Sequence, residues 1–274
     1  MLAQAAIIES WGLTVELGAH VFDKKGYLAG EDDDRLSDLN AALNDPSIRA
    51  ILATRGGKGS YRIADRLDFA AARRDPKFLV GFSDITALHL SLNRHCGLVG
   101  IHGGVMSNEA VADDAEACQS LRDALMAPGH APVLSRPDEL TAALTTNGRV
   151  RGPLIGGNLD MVATTAGWAL PRLDGAILLL EAVNIMRGQL DRQLTMLRKA
   201  GHLQGVAGIA LGQFTGFEMP RILSAADILR EHLGDLRVPI LGGLPIGHGP
   251  SPLAVPLGLD TVLDTQSRTL SFPC

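Results

Sequence analysis

Short apolar runs alternate along the whole chain with stretches in which apolar residues recur every three or four positions. The runs read as buried strands and the periodic stretches as helices, which is the pattern of a parallel α/β sheet. In the first half it predicts helices over 2–11, 35–45, 61–72, 85–95 and 115–126, with strands near 13–17 and over 49–54, 77–81 and 98–101. The segment 127–150 carries three prolines and two glycines and loses this periodicity, so it reads as a linker. A second series opens at Gly152-Pro153-Leu154-Ile155-Gly156-Gly157-Asn158. It continues with helices over 158–166, 187–200 and 222–233, strands over 176–181 and near 206–211, and several short strands to the end. The expectation is an α/β protein with an N-terminal doubly wound parallel-sheet domain over 1–127, a linker over 128–150 and a smaller C-terminal α/β domain over 151–274. Such a sheet ordinarily begins with a strand, yet the helix at 2–11 starts almost at Met1, so the first strand is expected to be missing.

Composition removes several function classes. With 46% apolar residues among 274, the chain has enough material for a full core in each of two domains. Its net charge of −5 comes from interspersed acidic and basic residues, which argues against a nucleic-acid partner. The longest apolar runs, such as Ala176 to Leu180, are strand-length, so no membrane span is expected. The start Met1-Leu2-Ala3-Gln4 has neither a basic stretch nor a cleavage site, and secretion is not signalled. Cys96, Cys118 and Cys274 are widely spaced and odd in number, which fits reduced cytoplasmic thiols rather than a disulfide framework or a zinc site. No metal or cofactor motif is present: Arg55-Gly56-Gly57-Lys58-Gly59-Ser60 lacks the Lys-Ser/Thr of a phosphate-binding loop.

Candidate chemistry sits where strands end. Gly81-Phe82-Ser83-Asp84-Ile85-Thr86 puts Ser83 on the turn between a buried strand and a helix, where a hydroxyl projects from the sheet and backbone N–H groups face an anion. Ser83 or Asp84 could equally cap that helix. Glu181 ends the run Ile177-Leu178-Leu179-Leu180 at the carboxyl edge of the sheet, and His248 lies in the rigid loop Pro245-Ile246-Gly247-His248-Gly249-Pro250. A serine hydroxyl needs a base, and a histidine base works best when a carboxylate fixes its tautomer. The order Ser, Glu, His also occurs in α/β-hydrolases, but their elbow has Gly two residues after the serine, where this chain has Ile85. The three glycines at 56, 57 and 59 let backbone N–H groups turn toward an oxyanion.

Arg55-Gly56-Gly57-x-Gly59-Ser60, Pro76-Lys77 leading into Gly81-Phe82-Ser83-Asp84-Ile85-Thr86, and His102-Gly103 together resemble the signature of the muramoyl-tetrapeptide LD-carboxypeptidases. That serine peptidase family also includes the microcin C immunity peptidases. The likeness continues through Gly156-Gly157-Asn158-Leu159, Leu180-Glu181, Asp191-Arg192-Gln193-Leu194 and Gly247-His248, so nearly the whole chain is covered. The resemblance implies Ser83 as nucleophile, His248 as base and Glu181 as its orienting carboxylate. The backbone N–H of Asp84, with one from Gly56 or Gly57, would hold the oxyanion. Arg55 would recognise the product carboxylate or else form a structural ion pair. His102 and His89 are rival bases, His89 being expected to point away from the serine and Asp84 to cap its helix.

The implied reaction is hydrolysis of an L,D-peptide bond that releases terminal D-alanine from a murein tetrapeptide, by a cytoplasmic, homodimeric enzyme that needs no cofactor and acts on a small muropeptide. The alternatives are an immunity-type peptidase acting on a peptidyl-nucleotide antibiotic, or a ligand-binding α/β protein without activity. Two departures from the family pattern stand out. Lys58 replaces an aromatic residue of the glycine loop, and no opening strand with a Pro-Ser turn is present.

Overall fold

The computed structural model describes residues 2–104, 114–127, 129–216 and 224–273. In the first half, α1 (Leu2–Ser10) and α2 (Asp32–Asn44) precede β1 (Ala50–Leu52), followed by α3 (Phe69–Arg74), β2 (Phe78–Gly81), α4 (Thr86–Cys96), β3 (Gly100–His102) and α5 (Ala115–Met126). The second half contains β4 (His130–Leu134), β5 (Arg149–Asn158), α6 (Leu159–Thr165), β6 (Ile177–Val183), α7 (Arg187–Lys199), β7 (Gly208–Thr215) and α8 (Ala225–Leu233). It ends with β8 (Ile240–Leu241), β9 (Val255–Leu257), β10 (Asp260–Asp264) and β11 (Thr269–Phe272). The fold is thus mixed α/β with parallel strands in both halves, as the alternating pattern predicts.

Two sheets organise these elements. The first runs β1-β2-β3-β9, the second β4-β11-β10-β5-β6-β7-β8. Strands β1 to β3 are parallel, as are β5 to β8, so each series needs helical crossovers, which α3, α4, α6, α7 and α8 supply. Ile177 to Leu180 have no exposed surface, because β6 is central and covered on both faces. The larger core packs Leu178 and Leu180 of β6 against Leu190, Leu194 and Leu197 of α7 and Ile228 and Leu229 of α8.

Three expectations need correction. No strand forms near 13–17; Gly12 at φ +86° ends the first helical segment, and Leu13 and Leu17 stay exposed. The 128–150 segment is more than a linker, since β4 within it pairs antiparallel with β11 and a 3₁₀ turn at Leu140–Leu144 packs beside β7. Its prolines break helical periodicity without preventing an edge strand, where a missing N–H is tolerated. Finally, β9 from the second half pairs with β3 and completes the first sheet, so the two units interlock. Among the described residues, the sheet centred on the second half is the wider, with seven strands, β4 included, against four.

Two buried ionisable side chains anchor the strand that carries the elbow. Lys77 has a fully buried side chain and donates to Asp45 O and Ile48 O at 2.8 Å and to Asp75 Oδ2 at 2.6 Å, tying the start of β2 to the end of α2. All three of its protons are used, which is what makes burial of an ammonium tolerable. At the other end, His89 of α4 donates from Nε2 to Gly81 O at 2.9 Å. Burial pushes the His89 pKa down from 6.5 to about 4.

The unfolded chain therefore takes up a proton at this position before the folded one does as pH falls. Stability is full above roughly pH 6.5 and declines toward pH 4, by about 3 kcal/mol for this group once both states have titrated. Denaturant unfolding measured between pH 7.5 and 4 should show this loss, and His89→Gln, which keeps a donor for Gly81 O, should flatten the slope. Equal slopes in both proteins would refute the assignment.

Candidate active site

The end of β2 turns sharply. A β-carbon on Gly81 would lie 2.8 Å from Ile85 Cγ2, so only glycine lets the strand pass this close to the following helix. Ser83 then adopts φ +62°, a left-handed conformation rare outside glycine and a form of strain concentrated at functional sites. A 3₁₀ turn over Ser83–Ile85 leads directly into α4, whose amino end faces the same side. The hydroxyl of Ser83 is half buried and makes no hydrogen bond to another described residue.

The glycine loop lies against this elbow. A β-carbon at position 56 would sit 2.8 Å from Ser83 Cβ and 3.1 Å from its Oγ, so Gly56 touches the serine through backbone alone. Gly57 and Gly59 have φ of +128° and +114° and give the loop its course. Among the described residues, the N–H groups of Gly56, Gly57 and Asp84 have no backbone acceptor. Arg55, Gly56, Gly81, Phe82, Ile85 and Gly104 line a small crevice there. Arg55 is exposed and, among the described residues, has no ion-pair partner. Lys58 beside it is also exposed.

Glu181 and His248 come together from opposite ends of the second domain. Glu181 extends from β6 with no exposed surface, and its Oε2 lies 2.7 Å from His248 Nδ1. Asn158, at the end of β5 and paired in register with Glu181, donates from Nδ2 to Oε1 at 3.1 Å. Both carboxylate oxygens are thus occupied. Crowding by glycines makes room for this carboxyl, since a β-carbon on Gly247 would lie 2.8 Å from Oε2 and one on Gly212 3.2 Å from Glu181 Cβ. With Nδ1 committed to Glu181, Nε2 of His248 is left for other work. The imidazole leans on Phe82, the residue before Ser83, with ring centroids 4.7 Å apart. No hydrogen bond joins Ser83 and His248 in this conformation, a looseness common when no substrate aligns the pair.

The loop that bears His248 is held by Gln213 of β7, which is fully buried. Its Oε1 accepts from Gly249 N at 2.8 Å, and its Nε2 donates to Pro250 O at 3.0 Å and Glu139 Oε1 at 2.8 Å. Gln213 and Asn158 are the functional neighbours that pattern reading missed. Asn158 lay inside a recognised motif, whereas an isolated Gln in an apolar strand carried no signal beyond being polar where burial is expected.

Of the rival histidines, His102 also lies against Phe82, edge-on with ring centroids 6.1 Å apart. His102 ends β3 and is buried, with neither ring nitrogen bonded to a described residue. Burial, reinforced by His89 and His248, lowers its pKa well below the ordinary histidine range, so it is neutral. Among the described residues no carboxylate orients it, in contrast to His248. Asp84 does not cap its own helix: its Oδ2 accepts from Ser60 N at 2.8 Å across the elbow. His20, Asp23 and Asp34 have potential metal-ligand atoms within 4.8 Å of one another, but none of them belongs to the Ser83, Glu181 and His248 group.

Residues 2–103 match the LD-carboxypeptidase N-terminal domain and residues 151–263 the LD-carboxypeptidase C-terminal domain. A murein tetrapeptide carboxypeptidase of Pseudomonas aeruginosa is 34% identical over 94% of this chain and 86% of its own. The crystal structure of a muramoyltetrapeptide carboxypeptidase from Oxalobacter formigenes superposes with a TM-score of 0.84 at 26% identity, covering 99% of this chain and 94% of that one. A microcin C7 self-immunity protein shares the fold at a TM-score of 0.84 and 22% identity, over 100% and 92% of the two chains. With both halves matched and a relative above 30% identity along most of its length, the chain belongs to the LD-carboxypeptidase family of serine peptidases.

Proposed function

We propose that the protein is a serine carboxypeptidase that releases terminal D-alanine from a murein tetrapeptide by cleaving an L,D-peptide bond. The observation that carries this reading is the 2.7 Å contact between a fully buried carboxylate, Glu181, and Nδ1 of His248, whose ring abuts the strained turn bearing Ser83. In this reading Nε2 of His248 takes the Ser83 proton as Oγ attacks the carbonyl carbon, and Glu181 stabilises the imidazolium that forms. The N–H of Asp84, with that of Gly56 or Gly57, receives the developing oxyanion. Collapse breaks the C–N bond, and the departing amine of D-alanine takes the proton from His248. Water, deprotonated by the same nitrogen, then attacks the ester; the shortened peptide leaves as a carboxylate and Ser83 regains its proton. The guanidinium of Arg55 is suited to pair with the carboxylate of the terminal residue in two parallel bonds.

The shared fold of the microcin C7 self-immunity protein supports a second reading, cleavage of a peptidyl-nucleotide. A third is an α/β protein that binds a peptide without turning it over. We further assign the protein to the cytoplasm as a homodimer. Cys96 is a free thiol, which fits a reducing compartment, and no described helix is long and apolar enough to cross a membrane.

Incubation with murein tetrapeptide should yield tripeptide and free D-alanine, and replacing the terminal residue by its L-enantiomer should abolish release. Turnover of a peptidyl-adenylate without turnover of the tetrapeptide would overturn the reading in favour of the immunity type, and turnover of neither would favour the binding protein. Ser83→Ala and His248→Ala should each remove acylation, and Glu181→Gln should lower kcat by about 10³- to 10⁴-fold, the scale seen when a triad carboxylate is neutralised. Gly56→Ala should cost at least about 100-fold by pressing on Ser83 and disturbing an oxyanion donor. Unchanged kcat in Gly56→Ala would remove the loop from the mechanism.

A further inference from the structure

One buried carboxylate has no part in the proton transfers above. Asp84 follows the nucleophile and is only 6% exposed, and burial pushes its pKa above the ordinary carboxylate range. Its Oδ1 has no partner among the described residues. A carboxyl held this way is weak support for stability, because an apolar side chain of similar size would avoid the desolvation cost.

Its bonds run in one direction, toward the glycine loop. Oδ2 accepts the Ser60 N–H at 2.8 Å, and the main-chain carbonyl of Asp84 accepts the Ser60 hydroxyl. The Gly59 N–H also faces the carboxylate, and Arg35 of α2 is the charged group turned toward it. Arg35 donates from Nη1 to Gly59 O at 3.1 Å and is itself held by Asp32, so the same stretch of loop is gripped from behind. The loop is therefore fastened at its far end, residues 59 and 60, while its near end, Gly56, rests on Ser83 at van der Waals distance.

We propose that the Asp84 side chain, acting with Ser60, is a positioning element that sets the separation between the glycine loop and the nucleophile turn, and thereby builds a two-sided pocket for an anionic tetrahedral centre. This deepens the peptidase reading and rests on it. One wall of the pocket is the N–H of Asp84 itself and the other is the N–H of Gly56 or Gly57. A single residue thus contributes a donor through its backbone and holds the opposing donor through its carboxylate. Loosening the tie leaves Ser83, His248 and Glu181 untouched but lets the second wall drift, so its effect falls on the tetrahedral state and not on ground-state binding.

The test uses the rate at which a small fluorophosphonate modifies Ser83, because its phosphonyl oxygen occupies the same pocket. Asp84→Ala should slow modification by about 10- to 100-fold and lower kcat for a peptide substrate while KM stays within about threefold. Asp84→Asn keeps an oxygen to accept the Ser60 N–H and should recover most of the rate. Ser60→Ala removes the hydroxyl tie and keeps the N–H bond, so its loss should be smaller, and it carries the test if Asp84→Ala does not fold. Amide hydrogen exchange over residues 55–60 should quicken in Asp84→Ala and return toward wild type in Asp84→Asn. Labelling of Ser83 in Asp84→Ala as fast as in wild type, or a loss confined to KM, overturns this inference alone. Failure of the wild type to label, with Ser83→Ala indistinguishable from it, overturns the peptidase reading and this inference together.

Discussion

A carboxylate without exposed surface is the constraint around which the site is built. Glu181 leaves the carboxyl end of a strand buried on both faces, and an unpaired charge there would be strongly destabilising. His248 and Asn158 occupy its two oxygens, so the environment that makes the charge costly also dictates which groups stand beside it. The consequence for the histidine is a defined tautomer: Nδ1 is committed to the carboxylate and Nε2 points elsewhere. Gly247 and Gly212 belong to the same constraint, because a side chain at 247 would occupy the space of the carboxyl and one at 212 would press on Ile246 O and Glu181 Cβ.

The first domain meets this arrangement with a turn and a loop that use backbone where other proteins would use side chains. Ser83 at positive φ, Gly56 against it and Gly81 beneath it form a compact layer in which no extra methyl group fits. Such a layer is rigid because its parts are fixed from outside, by Lys77 at one end of β2, by His89 at the other and by Ser60 across the gap. Gln213 plays the equivalent part for the histidine loop, bonding on both sides of the turn after His248.

Much of this was legible from residues alone, for reasons that differ by position. The alternation of apolar runs with helical periodicity revealed the parallel sheets, because strands buried on both faces, such as Ile177 to Leu180, leave a continuous apolar signature. Ser83, Glu181 and His248 stood out because each ends a strand or sits in a loop too rich in Gly and Pro to be anything else. The side-chain role of Asp84 was not legible: an acidic residue at a helix start reads as a cap, and only three-dimensional proximity to Ser60 shows where its oxygen goes. Gln213 was hidden for a related reason, since nothing local distinguishes a polar residue that braces a loop from one that meets solvent. The strand near 13–17 was misread because two leucines spaced within a polar stretch imitate an edge strand, whereas here they remain exposed. The 128–150 segment was misread because prolines silence periodicity without forbidding β4.

The pairing of β9 with β3 has a consequence for how the chain is assembled. The edge of the nucleophile-bearing sheet is completed by Val255–Leu257, so during synthesis that sheet stays open until the segment beyond the histidine loop has left the ribosome. Contacts between such distant parts of the sequence form late and cooperatively. The first half is therefore not a self-sufficient folding unit, and the nucleophile reaches its final surroundings only when the segment just beyond the histidine loop has been threaded into place.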